Sequence, residues 1–510
     1  MSAGHFDVLL RGGEIADGTG APLAAGDVGI AAGRVRLLAP GTAATADRVV
    51  DVSGQIVAPG FIDAHTHSDE TTLNGTGHEQ AHAAVLQGVT VEVCGNCGDS
   101  AFPGPYPDFA AFAGAHASVG RANHLVSLVG HGTLRAAVVG HAARAATAAE
   151  LAEMCQVLDR NFTAGAAGLS TGLIYTPGSY ADTAEVTALA TVAARHRKPY
   201  VTHLRDEMSR VEEALDEAVA IARASGAALH VSHHKTAGKY AWGGTERTLP
   251  RLERLRAEGM DLTCDVYPYT AASTALSAML PPWAHDGGPA RLLERLRDAG
   301  QRARMREAIA EGVPGWENTV GNGGWDRISV AGAARHRDLQ GRTIAAIAEE
   351  RGADAVDVAA ELLLAEDGDV TIISHSMRED DVQRVLSASF SMIGSDGVPK
   401  PGLPHPRWAG TFARVLGHYA RDLQLLSIPE AVHKMTGATA ERFGLAERGV
   451  LRDGAHADLV VFDPATVADR ATFTEPLQAP VGIRMVLVAG AIVVRDGTVT
   501  GERPGQVLAC

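Results

Sequence analysis

Short apolar runs separated by helical segments fill the middle of this 510-residue chain, and that alternation constrains its fold more than any other feature. Eight runs read as buried strands: 56–64, 89–94 (VTVEVC), 124–130 (HLVSLVG), 167–171 (AGLST), 200–203, 228–232 (ALHVS), 261–266 (DLTCDV) and 390–395 (FSMIGS). Strands alternating with helices build parallel sheets, and eight is the number that closes a (β/α)8 barrel. A ninth run, VTIISH at 370–375, also fits a strand, and pattern alone leaves open whether it joins the barrel. Over 281–345 the alternation gives way to PPW, an Arg/Glu-rich amphipathic helix and a Gly/Trp-rich loop, which read as an inserted subdomain. Both ends of the chain carry short strand-like segments between turn signals. The predicted organisation is an α/β chain. A TIM-like barrel covers 58–440 with 281–345 inserted, and a small β-sandwich is made from 1–57 and 441–510.

Composition narrows the partners. A formal net charge of −15 argues against nucleic acid and acidic membrane surfaces. No apolar run reaches the roughly 18 residues of a membrane span, and no secretory pattern opens the chain. The expectation is a soluble, cytoplasmic protein. The five cysteines are odd in number and scattered, which is no disulfide framework. Cys155 and Cys264 read as packing residues.

Several candidate strands end in a residue able to bind metal. The first runs through GQIVAPGFIDAHTHSDE at 54–70. There His65 and His67 point the same way, as residues i and i+2 of a strand do. One HxH means little among 21 histidines, so its partners decide. Cys97 follows the second strand in GNCG, and His203 closes the fifth in YVTHLRDE. His233 closes the sixth in HVSHHK, and Asp396 follows the last in IGSDG. A barrel gathers its strand C-termini at one mouth, so these six residues converge there. In SHHK only one imidazole faces that mouth, and His233, at the end of the apolar run, is the choice. Cys94 and Cys97 have the spacing of half a zinc knuckle, but no second pair completes one. Cys97, in a Gly-flanked turn, can swing into the mouth, whereas Cys94 lies within the strand.

The β stretch entering PGFIDAHTH, the strand-end histidines, SDG and the closing GAHADLVVFDP resemble the amidohydrolase superfamily. More narrowly, GVTVEVCGNCG, THLRDE, SHHK, DVYPYTAAST, GSDG and HPRWAGTF resemble the D-aminoacylases, or N-acyl-D-amino-acid deacylases. The likeness runs from about residue 6 to the end of the chain. It implies a tight zinc held by Cys97, His203 and His233. A weaker second site would use His65, His67 and Asp396, with Cys97 able to bridge. Many superfamily members bridge two metals with a carboxylated lysine after the fourth strand. Here that strand ends GLSTGLIY, without a lysine, and GNCG supplies a thiolate instead. Two features depart from the commoner pattern: HTHSDE replaces HTHDD, and NGTGHEQAHAAV is slightly longer.

The expected chemistry follows from the ligands. Three protein ligands and one open position is the catalytic zinc arrangement. Zinc lowers the pKa of a bound water from about 15.7 to about 7. Asp396 is the natural base for that water and then the acid for the departing amine. Its other reading is a turn residue in SDG. Lys235, Tyr267, Ser273 and Arg407 are expected to grip the substrate carboxylate, with Arg407 offering a planar fork. Each is otherwise a solvated group or a structural hydrogen bonder. Arg205 and Glu207 either orient His203 or form a plain ion pair. The expected activity is hydrolysis of N-acyl-D-amino acids, small molecules, to a carboxylate and a free D-amino acid. D-specificity rests on the resemblance. The alternatives are a cyclic-amide hydrolase of the dihydroorotase or hydantoinase type, and a non-catalytic metal-binding barrel. The insertion enters at the mouth and suits a mobile cover.

Overall fold

A computed structural model of the chain describes residues 4–73 and 78–510. The stretch NGTG in the lengthened first loop lies outside the described residues. Eight parallel strands pair in chain order: Phe61–Asp63, Val89–Cys94, His124–Ser127 continued by Val129–Gly130, Leu169–Gly172, Tyr200–His203, Leu229–Val231, Leu262–Val266 and Ser391–Ile393. Across the break at Leu128, Leu128 N–H donates to the Cys94 carbonyl and Ala167 N–H to that of Ser127, both at 2.9 Å. The last strand is tied to the first by Ala64 N–H to Ile393 (3.2 Å) and Asp396 N–H to His65 (2.8 Å). The ring is thus a (β/α)8 barrel.

Alternation along the strands sorts the side chains. Ile62, Val91, Val126, Val201 and Met392 point inward and form one core layer with Phe443 and Leu445. Phe443 ends the helix Gly437–Phe443, and the adjacent Arg442 pairs with Asp261, which precedes the seventh strand. That helix therefore plugs the N-terminal end of the barrel and leaves the other end for chemistry. Phe443 and Leu445 of 441–445 pack against the inner layer of the barrel.

The ninth run forms Thr371–Ser374, the middle strand of an antiparallel sheet between Ala272–Ala275 and Ile328–Gly332. It lies outside the barrel, in the inserted unit. That unit has its own core, including Leu276, Leu292, Met305, Ile344, Leu362 and Ile372. The sheet takes one strand before 281–345 and one after it, at Ala272–Ala275 and Thr371–Ser374. Its first strand, ASTA, is half-exposed and small, with no apolar alternation to announce it.

The termini share a nine-stranded sheet in which Ile56–Pro59 pairs with both His5–Ile15 and Leu459–Phe462. Leu459 and Val461 face the sheet's own core with Val28, Ile30 and Val57. Val460 and Phe462 face the barrel, where Phe462 meets Phe61 at 6.3 Å between ring centres. The chain's last residues leave this sheet and lie along the third barrel strand, with Leu508 N–H bonded to the Leu125 carbonyl. Among the described residues no helix is long and apolar enough to cross a membrane.

Phe443→Ala should cost about 3–5 kcal/mol in urea unfolding, because it empties the space under the inner core layer. A loss below about 1 kcal/mol would show that the ring does not hold the barrel floor.

Candidate metal centre

Three of the strand-end turns at the mouth are left-handed. Cys97 (φ +53°), His233 (φ +34°) and Asp396 (φ +50°) are among ten described non-glycine residues with positive φ. Such backbone is uncommon outside glycine and gathers at functional sites. Here it reverses the chain just past the strand, so the side chain returns over the barrel axis. Gly172 makes room for the turn at Cys97: a Cβ there would stand 2.0 Å from the Cys97 carbonyl oxygen.

The Sγ of Cys97 is the hub. It lies 3.3 Å from His233 Nε2, 3.4 Å from His65 Nε2 and 3.7 Å from His203 Nδ1. His203 Nδ1 and His233 Nε2 are 3.0 Å apart. On the outer side, Asp396 Oδ1 is 3.2 Å from His67 Nε2 and 3.6 Å from His65 Nε2. The structure thus brings all six expected residues to one place. A tetrahedral ion bonded at 2.0–2.3 Å to nitrogen and sulfur holds its donors about 3.3–3.7 Å apart. Two of the three donor distances of Cys97, His203 and His233 fall in that range, while the two imidazole nitrogens stand closer, at 3.0 Å, so the set suits such an ion once those rings part by a few tenths of an ångström.

Electrostatics agrees with that fit. Burial holds His65 at about 4 and His203 at about 3, so both are neutral at pH 7, the form that ligates. Burial, reinforced by Asp396 and Glu207, pushes the Cys97 thiol up. A bound cation reverses that, since coordination deprotonates a thiol. Against the pull of burial, Arg407 keeps the Asp396 carboxyl well below the usual range. His67 is the most open of the six, its side chain 22% exposed.

Of the groups behind these donors, sequence reasoning missed Asp63 and Asp265 and left Glu207 open between orienting His203 and a plain ion pair. Asp265 Oδ2 lies 3.4 Å from His65 Nδ1 and 2.9 Å from His230 Nε2, while its Oδ1 accepts the His233 N–H at 2.9 Å. Asp63 accepts the N–H groups of Ser395 (2.7 Å) and His65 (3.2 Å), joining the last turn to the first. Glu207 faces His203, His233 and Lys235, whereas Arg205 pairs with Glu217. A charged residue inside a wholly buried strand was the available signal for Asp63 and Asp265. Tyr175 sets its ring edge against His203 at 5.2 Å, its hydroxyl 3.2 Å from Thr274 Oγ1. His234 turns away, to Thr248.

The four residues expected to hold substrate are near one another. The Arg407 guanidinium sits 4.5 Å over the Tyr267 ring, with Nη1 2.8 Å from Asp396 Oδ2. The Lys235 ammonium lies 5.6 Å from the centre of the same ring and 2.7 Å from Glu207 Oε2. Ser273 differs from expectation. It meets Arg407 through its backbone carbonyl, at 3.3 Å, not through its hydroxyl. Strand pairing at Ala272–Ala275 fixes that carbonyl toward the guanidinium.

The model of the amidohydrolase family matches residues 48–494. The chain belongs to that family. This amidohydrolase is 39% identical to a D-aminoacylase of Alcaligenes xylosoxydans xylosoxydans, over 99% of this chain and 98% of the relative. It also superimposes, with a TM-score of 0.84 and 38% identity, on an N-acyl-D-glutamate deacylase from Bordetella bronchiseptica. That protein was solved with zinc and a phosphonate mimic of the tetrahedral intermediate, and the match covers 99% of this chain and 100% of that one. The L-hydantoinase of Arthrobacter aurescens shares 16% identity at a TM-score of 0.60 over 99% of this chain and 100% of that one, a likeness of fold alone.

Gly172→Ala should unseat Cys97 while altering no donor atom. The variant is expected to lose most of its tightly held metal on dialysis, with far-UV circular dichroism unchanged. Full metal content would show that the turn at Cys97 adapts.

Proposed function

We propose that this amidohydrolase is a zinc-dependent N-acyl-D-amino-acid deacylase, cleaving a linear amide to a carboxylate and a free D-amino acid. One observation carries the reading: a thiol lies 3.3–3.7 Å from three imidazoles at the barrel mouth. It does so in a chain 39% identical to a D-aminoacylase along nearly its whole length. Cys97, His203 and His233 would hold the tight zinc. His65, His67 and Asp396 would form a weaker site sharing Cys97. When bound, zinc supplies a Lewis acid and brings a water's pKa near 7.

The chain's own groups do the rest. Asp396, kept ionised by Arg407, takes the proton of the attacking water and returns it to the departing amine nitrogen. Lys235, Tyr267 and Arg407 face the substrate carboxylate, and the Ser273 carbonyl accepts from Arg407 Nη2 and so orients the guanidinium. Arg407 Nε is buried and has no hydrogen-bond partner among the described residues, so a substrate carboxylate would reach it only if the pocket opens around the guanidinium. The inserted unit reaches the mouth through Thr274 and Glu317, a position that suits a cover. A cytoplasmic setting belongs to the same proposal, supported by five free cysteines.

Primary-amine release from N-acetyl-D-amino acids, with little from the L-enantiomers, is the expected result. Ring opening of hydantoin or dihydroorotate in its place would favour the cyclic-amide reading. Cys97→Ala should abolish tight zinc binding while Cys94→Ala leaves it nearly intact; the reverse pattern would move the thiolate to Cys94. Asp396→Asn should keep the tight zinc and lose roughly 10²–10⁴ in turnover. Near-normal turnover in that variant removes Asp396 from the base role.

A further inference from the structure

Glu207 is buried beside the mouth, 5% exposed. Its Oε1 is 3.0 Å from His233 Nδ1, and its Oε2 is 3.5 Å from His203 Nε2 and 2.7 Å from Lys235 Nζ. His233 faces Cys97 through Nε2 and His203 faces it through Nδ1. One carboxylate therefore faces the rear of both histidines by distance; Lys235 Nζ shares His233 Nδ1 with it at 2.7 Å, and neither His203 Nε2 nor Glu207 Oε1 has a hydrogen-bond partner among the described residues. An imidazole that ligates through one nitrogen carries its proton on the other, and a carboxylate accepting that proton fixes tautomer and ring plane. A plain ion pair with Lys235 would not require the second oxygen to face His233.

The backbone of Glu207 is held as firmly as its side chain. Its carbonyl accepts Ala237 N–H at 2.8 Å. Its N–H donates to Glu317 Oε2 at 2.6 Å. Glu317 comes from the inserted unit, in the link between the helices Ala299–Glu311 and Thr319–Gly323. Burial, with Glu207 and Asp206 adding repulsion, pushes its carboxyl up to about 8. A buried acid spent on one backbone N–H of a distant loop needs a reason, and the loop's load supplies it.

We infer that Glu207 is the positioning residue of the metal centre and that Glu317 of the inserted unit holds it there. The insertion is then a working part of the ligand cage and not only a cover. This rests on the reading of His203 and His233 as ligands. The two claims separate in one experiment.

Metal-depleted full-length protein is titrated with zinc against a chromophoric chelator, and the thermal midpoint of the same metal-free samples is recorded. Glu207→Gln should bind zinc about 10–100-fold more weakly with an unchanged metal-free midpoint. Glu317→Ala should weaken zinc roughly fivefold or more, in the direction of Glu207→Gln. Glu317→Gln should restore the wild-type affinity, since an amide oxygen accepts the same N–H. Wild-type affinity in Glu207→Gln overturns the inference. Wild-type affinity in Glu317→Ala, or a Glu317→Gln variant as weak as the alanine one, removes the link to the insertion. Cys97→Ala is the control: if it also binds zinc normally, the ligand reading itself has failed. If it alone loses zinc, only the positioning role falls.

Discussion

The mouth of this barrel hangs on one buried carboxylate. Asp265 is wholly enclosed on the seventh strand, and an isolated ion there would cost several kcal/mol. It is offset by His230 on the sixth strand, by His65 beyond the first, and by the N–H of His233 beyond the sixth. A single ion thus spans the ring and sets the turns that carry two candidate ligands relative to each other. Against burial, the same partners hold Asp265 well below the usual carboxylate range. The exchange is mutual: the barrel keeps the charge and the charge keeps the barrel's ends in register. Asp63 links the first and last strands by accepting N–H groups from His65 and Ser395, although burial pushes its carboxyl well above the usual range, opposite to Asp265.

What could be read from the sequence was whatever depends on period and chain order. Eight apolar runs of strand length, each followed by a helix, admit few folds, and strand-end residues of a barrel meet at one mouth whatever their spacing. His65, His67, His203 and His233 were legible for that reason. Cys97 and Asp396 needed more, because their reach depends on left-handed backbone that no period encodes. Glu207 and Glu317 were illegible as a pair: they meet only once the insertion has folded, across 110 residues of chain. Ser273 was read for its hydroxyl because a side chain is what a sequence displays. Its carbonyl became the contact through strand pairing with Thr371–Ser374, a partner that pattern could not assign.

Two ion pairs line the mouth, Lys235 with Glu207 and Arg407 with Asp396. Each cation is matched before any ligand arrives, which is how buried charges are tolerated. The pairing also divides the labour of the site. Glu207 faces the rear of the inner histidines, while Asp396 faces His65 and His67 on the outer side.

The Arg407–Asp396 pair has a consequence for the proposed reaction. A carboxylate beside a guanidinium is a poor base, because the cation favours its ionised form. Arg407 lies over Tyr267, with Nε buried and free of hydrogen bonds among the described residues, and under the proposed reaction the substrate carboxylate would share this guanidinium with Asp396. Sharing one cation between two anions weakens its hold on each. In that reaction Asp396 would be more basic with substrate seated than with the site empty. Under the proposed reaction, substrate binding at Arg407 would itself raise the base toward its working pKa, and a substrate lacking the carboxylate would forgo that gain in turnover as well as in affinity.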